Sequence, residues 1–88
     1  MQATKNKLTT HVRWMIRRDM QDVLDIEKTC FEFPWQEDDF IRWLRNRNVI
    51  GMVCEAGERT AGFMVYEILK NKIHILNFAV HEDWIAWA

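Results

Sequence analysis

The chain is poor in residues that interrupt structure: one proline, Pro34, and three glycines in 88 residues, with no low-complexity run. That leaves no room for a linker, so the sequence implies one domain. A chain of this length buries a smaller fraction of its surface than a full-sized domain, and modest stability is expected. Cysteine is scarce too. Cys30 and Cys54 stand apart, with no CxxC and no histidine at metal-ligand spacing. This argues against a disulfide framework or a metal site and predicts two buried, reduced thiols in a cytoplasmic protein. Neither sign of charge dominates: a net charge of −1 and a pI near 6.3 supply no general attraction to nucleic acid or to an anionic membrane. No apolar run is long enough to cross a bilayer, and Met1 to Thr10 is polar, without the apolar core of a secretory signal.

What the chain has is apolar material: 49% hydrophobic residues, including five Trp and five Phe. Its patterning predicts an α+β domain. Val12 to Arg17 alternates Val12, Trp14 and Ile16 with Arg13, Met15 and Arg17, the period of a half-buried strand. Asp19 is placed to cap a helix over Met20 to Glu32, with Met20, Val23, Leu24, Cys30 and Phe31 towards one side. Phe33-Pro34-Trp35 breaks that helix, and a second follows over Glu37 to Asn46. Glu37, Asp38 and Asp39 at its start and Arg42, Arg45 and Arg47 at its end suit the helix dipole. Strands are then predicted over Val49 to Glu55, Arg59 to Leu69 and Lys72 to His81, joined by connections so short that only antiparallel hairpins are possible. Gly62 suggests a bulge or a close backbone approach.

Three local features go further than this order: the Phe33-Pro34-Trp35 break, Gly62-Phe63-Met64 at the opening of the third strand, and Asn77-Phe78-Ala79-Val80-His81 on the fourth. Together they resemble the N-terminal half of the Gcn5-related N-acetyltransferases, most of all the RimI group, which acetylates the N-terminal amine of a ribosomal protein. The resemblance covers Val12 to Trp84. It departs from the family at Gln36, where a serine cap is usual, and at Glu82, where proline is common.

The resemblance implies a β-α-α-β-β-β half-domain with a mainly antiparallel four-stranded sheet. It implies that Phe78, Ala79 and Val80 line the pantetheine arm of acetyl-coenzyme A, and that Phe33, Pro34 and Trp35 border the groove for an acceptor such as a protein N-terminus. No residue is assigned a catalytic role, because the carboxylate and tyrosine used by relatives lie beyond this half. Glu67 and His74 qualify for proton transfer by residue type alone, and an isolated histidine on a strand, as with His11, His74 and His81, is far more often a satisfied sheet residue than a catalyst. The family's glycine-rich pyrophosphate loop is expected just after Trp84, where the sequence reads Ile85-Ala86-Trp87-Ala88. The expectation is therefore a frayed leader over 1–11, a half-domain over 12–84 and a tail over 85–88, inactive alone and without tight acetyl-coenzyme A binding. The alternative reading is a non-catalytic module that dimerises through its fourth strand, assisted by Trp84 and Trp87. The Arg42-Trp43-Leu44-Arg45-Asn46-Arg47 stretch is read as a helix end, not a nucleic-acid stripe.

Overall fold

Two tight turns govern the sheet. Gly57-Glu58 joins β2 (Val49–Ala56) to β3 (Arg59–Leu69), and Lys70-Asn71 joins β3 to β4 (Lys72–Val80). Gly57 has φ 67°, a left-handed conformation that a side chain would strain. The computed structural model describes residues 9–85. It begins with β1 (Thr10–Trp14), then a 3-10 turn (Arg17–Asp19), α1 (Met20–Cys30) and α2 (Glu37–Leu44), and ends with a short α3 (Glu82–Ile85) after β4. The sheet order is β1-β2-β3-β4 and every pair is antiparallel, the α+β arrangement the sequence predicts. Residues 1–8 and 86–88, and with them Trp87 and most of the expected leader and tail, lie outside the described residues.

The two helices cover one face. Val49, Val53, Phe63, Val65 and Ala79 of the sheet pack with Val23 and Ile26 of α1 and Phe40 of α2. Strand alternation sends many of the remaining apolar side chains to the other face. Among them Trp14 is 73% exposed and Val12 64%. The first strand is thus legible as a strand but turned over. Val12, Trp14 and Ile16 look outward, while Met15 packs against the core. A period of two shows that two faces differ; the helices, not the strand, decide which is covered. The strand also starts earlier than expected, with Thr10 and His11 paired to Ala56 and Glu55, so those two residues do not belong to a frayed leader.

Asp19 explains why β1 ends early. It does not cap α1, since its own backbone is helical and its side chain makes no cap bond. Its carboxylate instead accepts the Ile16 N–H at 2.7 Å, closing the turn, and holds both terminal guanidinium nitrogens of Arg13 at 2.8 and 2.7 Å. Arg13 also reaches Glu55 at 3.1 Å. These bonds tie β1, β2 and the start of α1 together at a site where Asp19 is buried. The paired guanidinium, and then the Ile16 N–H, hold the Asp19 carboxyl below its usual range.

Further differences are local. α1 stops at Cys30, two residues before the expected end, because Phe31 is already extended at φ −128°, ψ 142°. Cys30 is exposed and Cys54 only half-buried, so neither is the buried thiol expected. Leu24 and Leu44 pack at the margin of the core. Its fully buried anchors are Phe40, Ile26, Val23, Val53 and Val65. α2 opens with Asp39 accepting the Gln36 N–H at 2.8 Å, while the Gln36 side chain makes no cap bond. Among the described residues no helix is long and apolar enough to cross a membrane.

This packing sets two tests. Phe40→Ala should cost about 3–5 kcal/mol in urea denaturation, whereas Trp14→Ala on the uncovered face should change stability by less than about 0.5 kcal/mol. Because the folded-state pKa of Asp19 lies below its unfolded value, its contribution is present in full above the ordinary carboxylate range. It disappears as pH falls through the depressed value. Asp19→Asn should therefore destabilise at pH 7, and denaturation midpoints of variant and parent should converge in acid.

Candidate functional site

Among the described residues β4 has a partner on one side only, and its C-terminal half is built differently from its beginning. Val65 pairs with Asn77 but Tyr66 with Ile75, so Leu76 is an extra residue that bulges the strand. A second irregularity makes Ala61 the extra residue on β3, between Cys54↔Gly62 and Glu55↔Thr60. Bulges bend and twist a strand and re-aim its side chains. Leu76 tucks against the core, Asn77 turns to the helix side, Phe78 (54% exposed) returns to the open side and Ala79 is buried. Gly62 permits the close approach anticipated for it: a Cβ there would stand 2.9 Å from the Ala79 carbonyl oxygen.

The backbone past the bulge forms an edge with a defined polarity. Ala79 pairs with Phe63, and His81 N–H donates to the Ala61 carbonyl at 2.7 Å, so residues 79 and 81 bond inward. By alternation Phe78 and Val80 present their N–H and C=O groups to the free edge. Two of those groups are engaged: the Phe78 N–H donates to its neighbour Asn77 Oδ1 at 2.8 Å, and the Val80 carbonyl accepts Cys30 Sγ at 3.4 Å. Phe78 C=O and Val80 N–H are left facing outward. Partial loss of solvent around the sulfur, then the nearby charges of Glu27 and Glu82, pushes the Cys30 thiol pKa up, so it stays protonated and able to donate.

The Phe33-Pro34-Trp35 loop stands on the other side of the C-terminal turn of α1. Its members separate. Trp35 meets Phe40 edge to face at 5.0 Å between centroids and stacks on Trp43 at 6.3 Å, which pins the loop to α2. Phe33 projects outward, 85% exposed, and Pro34 is half-buried between them.

Sequence reasoning missed the residue that joins loop and strand. Glu27 is 2% exposed and has no cation at salt-bridge distance among the described residues. One carboxylate oxygen accepts the Trp35 N–H and the other accepts Asn77 Nδ2, each at 2.8 Å. The signal was present: Glu27 falls on the helical stripe of Val23, Ile26 and Cys30, where a charge is out of place without partners.

Other candidates stay apart from this site. His74 faces Glu67 at 3.8 Å towards the opposite end of β4. His81 Nδ1 accepts the Asp83 N–H, and Arg42 pairs with Asp39 on α2. Trp84 is half-buried, with Arg59 over its ring at 5.8 Å from the centroid. Arg59 also pairs with Asp83 at 2.8 Å. No cluster of three or more metal-ligating side chains occurs among the described residues.

This arrangement is that of about half an N-acetyltransferase fold. The chain superposes on the ribosomal-protein-S18-alanine N-acetyltransferase from Escherichia coli with a TM-score of 0.77 and 18% identity, over 86% of this chain and 48% of that one. It also superposes on the PaiA N-acetyltransferase from Thermoplasma acidophilum, solved in complex with coenzyme A, with a TM-score of 0.62 and 14% identity, over 86% of this chain and 61% of that one. The chain therefore spans less than two thirds of either neighbour, and at these identities the likeness establishes the fold. No family model and no curated protein matches the sequence.

The close approach at Gly62 gives a direct test of the edge geometry. Gly62→Ala forces a Cβ against backbone, which should cost about 1–3 kcal/mol and shift the amide resonances of Ala79 and Val80 while those of β1 stay in place.

Proposed function

We propose that this chain is the acceptor-side half of an amine N-acetyltransferase, with Phe78, Ala79 and Val80 along the pantetheine arm of acetyl-coenzyme A. The observation that carries this reading is the polarity of the β4 edge. Phe78 C=O accepts and Val80 N–H donates, a pair that complements an extended chain of amides, and the bulge at Leu76 sets these groups off from the regular ladder. A coenzyme A complex among the structural neighbours supports it. Phe33, Pro34 and Trp35 would border the acceptor, with the exposed Phe33 ring as the contact surface and Trp35 as its fixed base. A peptide N-terminus is the acceptor that fits the ribosomal-protein neighbour.

The same chain is a poor home for the cofactor's diphosphate. α3, directly after β4, opens with Glu82 and Asp83, which put negative charge where a phosphate needs donors. Acetyl-coenzyme A should therefore engage this chain through its pantetheine end, with roughly millimolar affinity, and acetyl transfer by this chain alone is not expected. Titration followed by amide NMR tests the reading. The Val80 amide should shift progressively with acetyl-coenzyme A and much less with ADP. Shifts confined to the uncovered sheet face, or none near saturation, would overturn it.

A second reading, self-association along β4, is favoured by one observation: Ile73, Ile75 and Phe78 are 63%, 54% and 54% exposed on that strand. An edge of this kind pairs readily with another, and a two-fold arrangement would close it. Sedimentation at high micromolar concentration should then give a dimer that Ile75→Lys returns to monomer; a monomeric parent chain would remove this reading.

A further inference from the structure

The geometry points to Glu27 and Asn77 as positioning residues that lock the acceptor-side loop to the cofactor strand and decide which backbone groups β4 offers to a ligand. This rests on the reading of Phe78 to Val80 given above. Three hydrogen bonds run in series. Trp35 N–H donates to Glu27, Asn77 Nδ2 donates to the other oxygen of the same carboxylate, and Phe78 N–H donates to Asn77 Oδ1, each at 2.8 Å. The series joins elements separated by 50 residues between Glu27 and Asn77.

The direction of each bond is forced by the first acceptor. An ionised carboxylate only accepts, so Asn77 must turn its NH2 towards Glu27, and its oxygen is then the atom left to meet Phe78 N–H. Phe78 N–H is thereby withdrawn from the edge. A regular antiparallel strand docking at Phe78 would need both its N–H and its C=O, and finds only the carbonyl. A ligand that donates to Phe78 C=O and accepts from Val80 N–H loses nothing. The buried pair therefore favours a short amide-bearing arm over a full β-strand, and it does so at the point where the loop under Phe33 is tied down. The burial of Glu27 with no cation at salt-bridge distance among the described residues is consistent with this role: both of its oxygens are met by the donors it orders.

Polarity supplies the test. In Glu27→Gln one end of the side chain is a donor, so it can satisfy Trp35 N–H or Asn77 Nδ2 but not both. Amide exchange at Trp35 or at Phe78 should quicken by roughly tenfold or more, with Val53 and Val65 unchanged. Asn77→Ala should release Phe78 alone. The double variant Glu27→Gln/Asn77→Asp rebuilds the series with the middle bond reversed: the new amide on α1 donates to the new carboxylate on β4, and slow exchange should return at both amides. In the acetyl-coenzyme A titration the Phe78 amide of the parent chain should stay in place while Val80 shifts, and in Asn77→Ala both should shift. Unchanged exchange at Trp35 and Phe78 in Glu27→Gln, or no recovery in a folded double variant, would overturn the proposal. So would fast Phe78 exchange in the parent chain. If Glu27→Gln fails to fold, Asn77→Ala decides, because unaltered exchange at Phe78 there contradicts the proposal equally. If exchange behaves as expected but acetyl-coenzyme A leaves Val80 unmoved, the hydrogen-bond series stands, the cofactor reading falls, and the ligand-selecting role falls with it.

Discussion

A sheet covered on one side only sets the terms for the rest of this chain. Val23, Ile26 and Phe40 bury Val49, Val53, Phe63, Val65 and Ala79, and the described residues form no other core. Both helices must therefore grip the same face, and the contacts that set their position have to be made there. Two buried carboxylates share this task. Asp19 fastens the start of α1 to β1 and β2 through Arg13, and Glu27 fastens the end of α1 to the loop before α2 and to β4. They solve the problem of a buried charge differently. Asp19 keeps a cation beside it, while Glu27 depends on a backbone and a side-chain N–H, a weaker arrangement in electrostatic terms but one that fixes direction.

On the proposed reading, that difference separates support from function. The Arg13 cluster lies at the β1 end of the sheet, and its bonds close a turn and join neighbouring elements. The Glu27 cluster lies between an exposed aromatic loop and a bulged edge strand whose carbonyl and amide face outward. A ligand arriving at β4 and an acceptor arriving at Phe33 would both meet elements held by one carboxylate, as expected where two substrates must be kept in fixed relation. The fold shared with two N-acetyltransferases gives this geometry a chemical setting, and the covered fraction of those neighbours leaves their full activity a proposal for this chain.

Much of the fold was legible because it is carried by local rules. Gly57 and the Lys70-Asn71 turn leave the last three strands no option but hairpins, and Pro34 separates the helices wherever they pack. What was not legible is relational. Val12, Trp14 and Ile16 alternate correctly, yet which side the helices would cover is a property of the assembled sheet. Asp19 sits where a cap belongs, but a nearby guanidinium and the Ile16 N–H compete for it and win. Leu76 is invisible as a bulge, since an extra residue has meaning only against its partner strand. Phe78, Ala79 and Val80 could be singled out by resemblance to a known strand. The fact that Asn77 withholds one of their amides could not, because it depends on a carboxylate on a different element.

The uncovered face remains the main competitor for any ligand: a shallow apolar groove there runs past Met52, Met64 and Tyr66 to the same Phe78, Ala79 and Val80. Intermolecular nuclear Overhauser contacts between the pantetheine protons of acetyl-coenzyme A and this chain distinguish the two most directly. The account predicts contacts to the Val80 amide proton and the Phe78 α proton, along the outer edge of β4. Contacts to the side chains of Met52, Met64 and Tyr66 in their place would contradict it.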